Sequence, residues 1–184
     1  TKFNGEYILC TKNIEKEIFY LGFKNSANIK IIGNAGCFIA DEMNSGTLSI
    51  LGNVTSGVGY HMMGGKVEIF GNVEGEAADY FNGKSTGEII VHGNCFSVGK
   101  RMRNGTVTVN GNVTYQVAHY MKGGKIILQG KATYPIGAKM RGGKIYLSNK
   151  ENTISPRFKS GTIYQDEKII YHRNPWFKRI LKGD

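Results

Sequence analysis

The sequence predicts an all-β fold, a parallel β-helix (solenoid) wound from coils of about 19 residues. Three observations predict it. Two series of glycines return with one shared, irregular rhythm, columns of like-sized apolar residues recur between them, and a Gly-Asn step marks most corners.

The first glycine series is Gly33, Gly52, Gly71, Gly93, Gly111 and Gly130, with gaps of 19, 19, 22, 18 and 19. The second, Gly46, Gly65, Gly87, Gly105, Gly124 and Gly143, keeps the same gaps. The 22 reflects an insertion around Lys84, Ser85 and Thr86, and the 18 one residue lost between Gly93 and Met102. With 26 glycines against 3 prolines, and no every-third-residue period, neither collagen nor disorder fits.

Four residues before the first-series glycines stand Ile29, Leu48, Val67, Ile89, Val107 and Ile126. Two before them stand Ile31, Ile50, Ile69, Val91, Val109 and Leu128, and Ile145 and Leu147 continue both columns. Alternation of period two in aliphatic residues means a strand with one face buried. A strand this short cannot bury that face alone. Stacking equivalent strands about 4.8 Å apart pairs every backbone group and turns each column into a ladder, so seven strands span roughly 30 Å.

After the glycine come Ala35, Val54, Val73, Cys95, Val113 and Ala132. A column of small residues follows at Ala40, Gly59, Ala78, Gly99, Ala118 and Gly137, where the chain is expected to run close to a neighbouring wall. Three residues further lie Met43, Met62, Phe81, Met102, Met121 and Met140, flexible fillers for an irregular corner. Asn34, Asn53, Asn72, Asn94 and Asn112 suit bends that need positive φ or a side-chain bond to backbone, and Lys131 breaks that column. An antiparallel sandwich is the alternative, but it does not require one residue size at equivalent places six times over. A right-handed wind is expected for parallel connections.

The chain reads as a single domain over 1–184, with an N-terminal cap at 1–28, repeats at 29–147 and a C-terminal cap or tail at 148–184. Open ends of a stack need covering, and the apolar residues of the ends, such as Phe19, Leu21, Ile169, Ile170, Trp176 and Phe177, suit that. No run of about 18 apolar residues and no basic-then-apolar leader is visible, so a cytoplasmic protein without a membrane span is expected. Three widely spaced cysteines, Cys10, Cys37 and Cys95, argue against a disulfide framework.

No residue set defends a catalytic, cofactor-binding or metal site, and none is assigned. His61 and His119 share a stretch of the coil but lie three coils apart, roughly 14 Å, too far for one metal. Cys95 falls in an apolar ladder, Asp79 and Lys100 occupy equivalent places and can pair, and Asp41 with Glu42 makes an acidic spot without a partner base. The glycines match neither a P-loop nor a dinucleotide fingerprint.

Charge is more informative. Residues 1–99 carry 7 Lys/Arg against 10 Asp/Glu, a balance of −3; residues 100–184 carry 17 against 4, a balance of +13. Lys100, Arg101, Arg103, Lys122, Lys139 and Arg141 fall in one sector of consecutive coils. Of these, Arg101, Arg103, Lys122, Lys139 and Arg141 are the candidate partner-docking residues, suited to an acidic protein. Without an interleaved aromatic platform, nucleic acid is not the expected partner.

The runs Gly33-Asn34-Ala35-Gly36, Gly59-x-x-Met62-Met63-Gly64-Gly65-Lys66-Val67-Glu68-Ile69-Phe70-Gly71-Asn72-Val73 and Met121-Lys122-Gly123-Gly124-Lys125-Ile126 resemble the Gly-x-x-Gly-x-x-x-Gly repeat family. That family comprises the β-helix subunit of formylmethanofuran dehydrogenase and the C-terminal domain of the glutamate synthase large subunit. The resemblance covers residues 29–147 and is closer to the formylmethanofuran dehydrogenase member, whose third coil is also longer. It implies a right-handed parallel β-helix acting as a non-catalytic scaffold among the protein subunits of an oxidoreductase complex, with no cofactor or catalytic residue of its own. Thr55, Glu74, Phe96, Thr114 and Thr133 depart from the family pattern where Gly36 stands in the first coil. A glutamate-synthase-like module and a stand-alone β-helix, or an enzyme using its outer wall, remain the alternatives.

Overall fold

A computed structural model describes residues 2–3, 6–12 and 18–173. Trp176 and Phe177 lie outside the described residues. The chain winds into a parallel β-solenoid, and the expected coil length holds. The main wall comprises β1 (Lys2–Phe3), β2 (Glu6–Cys10), β3 (Asn28–Ile32), β5 (Thr47–Ile50), β7 (Lys66–Ile69) and β9 (Glu88–Val91). It continues through β11 (Thr106–Val109), β12 (Lys125–Leu128), β13 (Arg141–Leu147), β14 (Ser160–Gln165) and β15 (Lys168–Arg173). A second wall stacks β4 (Ala35–Ile39), β6 (Val54–Val58), β8 (Val73–Ala77) and β10 (Cys95–Val98), all parallel. Beyond β10 that wall continues as single parallel bridges, Cys95 to Val113 and Val113 to Ala132.

The register reproduces the columns read from the sequence. Leu48 pairs with Val67, Val67 with Ile89, Ile89 with Val107, and Val107 with Ile126. These residues and their neighbours Ile50, Ile69, Val91 and Val109 are fully buried. The column Met43, Met62, Phe81, Met102, Met121 and Met140 is equally buried, and Phe158 extends it. One inward column was not anticipated: Ile39, Val58, Ala77, Val98, Val117 and Ile136, which closes the second wall.

Parallel pairing runs past the repeat at both ends, with β2 on β3 and β14 on β13. Each end then reverses, as β1 and β15 pair antiparallel with β2 and β14. The C-terminal reversal leaves Ile169, Ile170 and Tyr171 exposed on β15. Among the described residues no helix is long and apolar enough to cross a membrane.

The Gly-Asn corners take the second of the two expected forms. None of the five asparagines has positive φ; instead each side chain caps the next coil. The Asn53 N–H donates to Asn34 Oδ1 at 2.9 Å, Asn72 to Asn53, Asn94 to Asn72 and Asn112 to Asn94, each at 2.8 Å. Lys131 ends this chain, its N–H donating to Asn112 Oδ1 at 2.8 Å, but has no side-chain carbonyl to pass it on. Each bond contributes about 1 kcal/mol and fixes the spacing between coils. Gly33 adopts φ +123°, but at Gly52, Gly71, Gly93 and Gly111 the glycine is needed for closeness rather than for φ: a Cβ on Gly71 would meet the Gly52 carbonyl oxygen at 2.5 Å.

Candidate functional site

The small-residue column marks a sharp corner. Ala40, Gly59, Ala78, Gly99, Ala118 and Gly137 all adopt φ between 58° and 75°. Two residues on, Glu42, His61, Tyr80, Arg101, Tyr120 and Lys139 are also left-handed, with φ between 51° and 59°. Such conformations cost a non-glycine residue of order 1–2 kcal/mol and persist where the surroundings impose them. Here the next coil does so through the backbone: Tyr80 N–H donates to Lys100 O at 3.0 Å, Arg101 to His119 O at 2.8 Å and Tyr120 to Ala138 O at 3.1 Å.

Neighbouring side chains of the double left-handed corner line adjoining clefts, with the rings of consecutive residues side by side, Tyr60 with His61 at 4.1 Å between centroids and His119 with Tyr120 at 4.4 Å. Tyr60 and Asp79 line a small cleft with Cys37 and Glu76, and His119 lines another with Tyr134 and Pro135. Beside these clefts runs an open groove of about 1000 Å³. Its floor and one side carry the corner residues His61, Tyr80, Arg101 and Tyr120, and its other side the row Arg103, Lys122 and Arg141 just past the buried Met column. From His61 to Lys139 the corner climbs four coil spacings, about 19 Å.

The three-residue insertion raises one wall. Gly83 and Lys84 line the groove, Lys84 N–H donates to Asn82 Oδ1 at 2.7 Å, and Asn104 Nδ2 donates to Gly83 O at 3.3 Å. Ser85 tucks into the interior.

The structure therefore gathers Arg101, Arg103, Lys122 and Arg141 in one place and adds Lys84, which sequence reasoning had treated only as part of an insertion. Lys139 sits at the edge, its Nζ donating to the Tyr120 hydroxyl at 2.7 Å. That ammonium holds the Tyr120 phenol below its ordinary pKa. Lys100 is not in the groove, because it is the middle residue of the corner. Its backbone N–H instead reaches Asp79 Oδ1 at 3.2 Å, rather than its ammonium forming the pair expected from the sequence. No carboxylate among the described residues lines the groove.

Two tyrosines, Tyr80 and Tyr120, stand among these cations and carry them. The Arg101 guanidinium lies 5.1 Å from the Tyr80 ring centroid and 5.9 Å from that of Tyr120, and it donates to the Tyr80 hydroxyl. The Lys139 ammonium lies 4.9 Å from the Tyr120 centroid. Each such contact contributes about 0.5–1 kcal/mol at an exposed site. It also separates cations within the column, whereas Arg103, Lys122 and Arg141 repel across consecutive coils by about 1 kcal/mol or less per pair in water.

The remaining candidates fall apart. His61 and His119 are not at equivalent places; His61 is equivalent to Tyr120 and lines the groove, while His119 binds Gln116 Oε1 at 2.9 Å. Burial and the nearby Lys139 hold His119 below its ordinary pKa. The Cys95 thiol is buried, donates to Ser97 O at 3.1 Å and is pushed up to about 12. Glu42 pairs with Lys24 at 3.4 Å, and burial with the adjacent Glu42 charge raises Asp41. Among the described residues no three His, Cys, Asp or Glu side chains gather to hold a metal.

Asp79 is nearly buried, and desolvation raises its pKa to about 7. Between the unfolded value near 4 and about 7 the native state holds a proton that the unfolded chain has lost, so stability falls as pH rises through that window. Asp79→Asn should flatten this slope. Melting temperatures measured from pH 4 to 8 check it; parallel curves for variant and wild type would contradict it.

No family model matches the chain, and no curated protein matches it.

Proposed function

We propose that this chain is a non-catalytic scaffold or assembly subunit of a multi-subunit enzyme, resembling the β-helix subunit of formylmethanofuran dehydrogenase, and that it works in the cytoplasm. It docks an acidic protein partner along the basic groove. The carrying observation is the groove itself, where five cations, Lys84, Arg101, Arg103, Lys122 and Arg141, converge without a lining carboxylate. A solenoid suits the role. Its coils are tied by ladder bonds and asparagine caps, so a surface row of side chains stays at fixed spacing without reorganising on binding.

The test reverses Arg103, Lys122 and Arg141 to Glu in the full chain, expressed tagged in its native host. Folding should persist, because all three are exposed. The wild type should retain a partner protein through purification and the triple variant should lose it. With the recovered partner, association should slow about tenfold or more at low salt, and its salt dependence should flatten, as expected for lost electrostatic steering. Unchanged co-purification and an unchanged salt slope would leave these residues as ordinary solvated surface.

A further inference from the structure

We infer that the basic groove takes an extended, carboxylate-rich segment of the partner protein, about six residues long, rather than a broad folded face or a nucleic acid. The inference rests on the docking reading above and adds what lies in the groove. Its shape is the first reason. The groove is concave and runs along the stack for about 19 Å, the length of about six extended residues. The corner residues Tyr80, Arg101 and Tyr120 form the floor and one side, and the row Arg103, Lys122 and Arg141, joined by the insertion bearing Lys84, walls the other. A broad convex surface would meet only the rims.

The second reason is the chemistry inside. Single-stranded nucleic acid is held by bases stacked on open aromatic faces as well as by cations along its backbone. Here the rings are occupied. Tyr120 has the Arg101 guanidinium of the preceding coil and the Lys139 ammonium of the following coil over it. Tyr80 packs against Arg101 of the next coil and against Tyr60 and His61 of the previous one, at 5.2 and 6.1 Å between centroids. These rings brace cations; they offer no platform. What remains open to a ligand is N–H donors in two rows, and carboxylates match such donors directly.

The third reason is preorganisation. Arg101 sits on a left-handed backbone fixed by its N–H bond to His119 O at 2.8 Å, with its guanidinium between two tyrosines. It is held before any ligand arrives, so little side-chain entropy is lost on binding. Charge also gives the groove a direction. Toward the N-terminal coils the cleft continues past His61 and Met63 to the Lys24–Glu42 pair, where the field is neutralised.

The experiment uses the full chain and a peptide of six glutamates carrying a neutral dye, followed by fluorescence anisotropy at low and moderate salt. Matched probes are six glutamines and a thymidine hexanucleotide. The glutamate peptide should bind saturably, and the glutamine peptide should not. Reversing Arg103, Lys122 and Arg141 to Glu should weaken the glutamate peptide about tenfold or more. The same charge change placed elsewhere, Lys30, Lys144 and Lys168 to Glu, should cost less than about threefold. Replacing the three groove residues by Gln, with melting curves for every variant, separates lost binding from lost folding. Equal losses for groove and control reversals would reduce the site to a diffuse field and overturn the inference. Tighter binding of the hexanucleotide than of the glutamate peptide would also overturn it, in favour of nucleic acid. If the peptide fails to bind while groove reversal still strips the co-purified partner, docking stands and the extended segment falls. If co-purification survives reversal, the docking reading itself falls.

Discussion

Ile69→Asp should lower the denaturation midpoint more than any conservative change in the core, and at neutral pH it should bring the domain close to unfolding. Ile69 is fully buried on β7, paired in register with Ile50 on one side and Val91 on the other. Its side chain therefore has aliphatic neighbours above and below, in a ladder that continues through Val109 and Leu128. Losing its burial removes about 2–3 kcal/mol of transfer free energy. The carboxylate then either stays charged without a partner or takes up a proton at neutral pH. The second route, raising its pKa by about three units, costs a further 4 kcal/mol or so. The sum is comparable to the whole stability of an ordinary domain, about 5–15 kcal/mol. Ile69→Val, which keeps the ladder and loses one methylene, should cost only about 1 kcal/mol. Urea unfolding of both variants near pH 5 and pH 7 is the measurement. The Asp variant should be the worse at pH 7, since protonation at pH 5 relieves part of the cost. A midpoint equal to wild type would mean that this column does not face inward.

That ladder was legible because two signals coincide in it. Leu48 and Ile50, Val67 and Ile69, and Val107 and Val109 alternate with polar residues and recur at fixed distances from a glycine. The column Ile39, Val58, Ala77, Val98, Val117 and Ile136 was less visible. Its residues vary in size, the intervening positions are as different as Phe38, Gly57, Glu76 and Pro135, and the one-residue deletion falls beside Val98. Long-range pairing found it, through the bridges Val98 to Val117 and Ile136 to Ile154.

The candidate site was half legible for a different reason. Its cations recur with the coil, so their common sector could be read. The corner that orders them could not, because it uses left-handed conformations at Tyr80, Arg101, Tyr120 and Lys139, residue types that do not announce positive φ. One residue separates the two left-handed positions, and at Tyr60, Asp79 and His119 that residue lines a neighbouring cleft instead of the groove. Hence Lys100 left the groove while Tyr80 and Tyr120 entered it, and His61 parted from His119. Lys84 looked like filler in a long coil, and the backbone bonds of the insertion made it a wall. The ends followed the same logic: β2 and β14 carry weaker columns than the repeats, yet any exposed parallel edge can template one more strand.

Gly59→Leu should destabilise far more than Thr108→Leu, although both add a leucine to a β-solenoid position. Gly59 adopts φ +68°, where an L side chain is strained by about 1–2 kcal/mol. The alanines at Ala40, Ala78 and Ala118 show that the column tolerates that backbone with a single Cβ. Space decides the rest. A Cβ on Gly59 would lie 2.5 Å from Ile89 Cδ1 and 3.0 Å from Phe81 Cε1, both on fully buried side chains. An alanine there can be met by turning the end of Ile89. A leucine adds three more carbons in the same direction, and the ladder of Ile89, paired in register with Val67 and Val107, has no empty side to move into. Overpacking of this kind costs a further 1–3 kcal/mol, so the total is about 2–5 kcal/mol. Thr108 lies between buried Val107 and Val109 on β11 and points to solvent, beside Ile90 and Ile127 on the neighbouring strands. Leucine there gains outer-face contacts and should change stability by no more than about 0.5 kcal/mol. For a chain of this size 1 kcal/mol moves the melting temperature by about 2–4 °C, so the Gly59 variant should melt roughly 10 °C lower while the Thr108 variant stays near wild type. Gly59→Ala should fall between them. Equal shifts for the two leucine variants would show that the small column is not a packed corner, and the left-handed geometry that sets the groove would lose its footing with it.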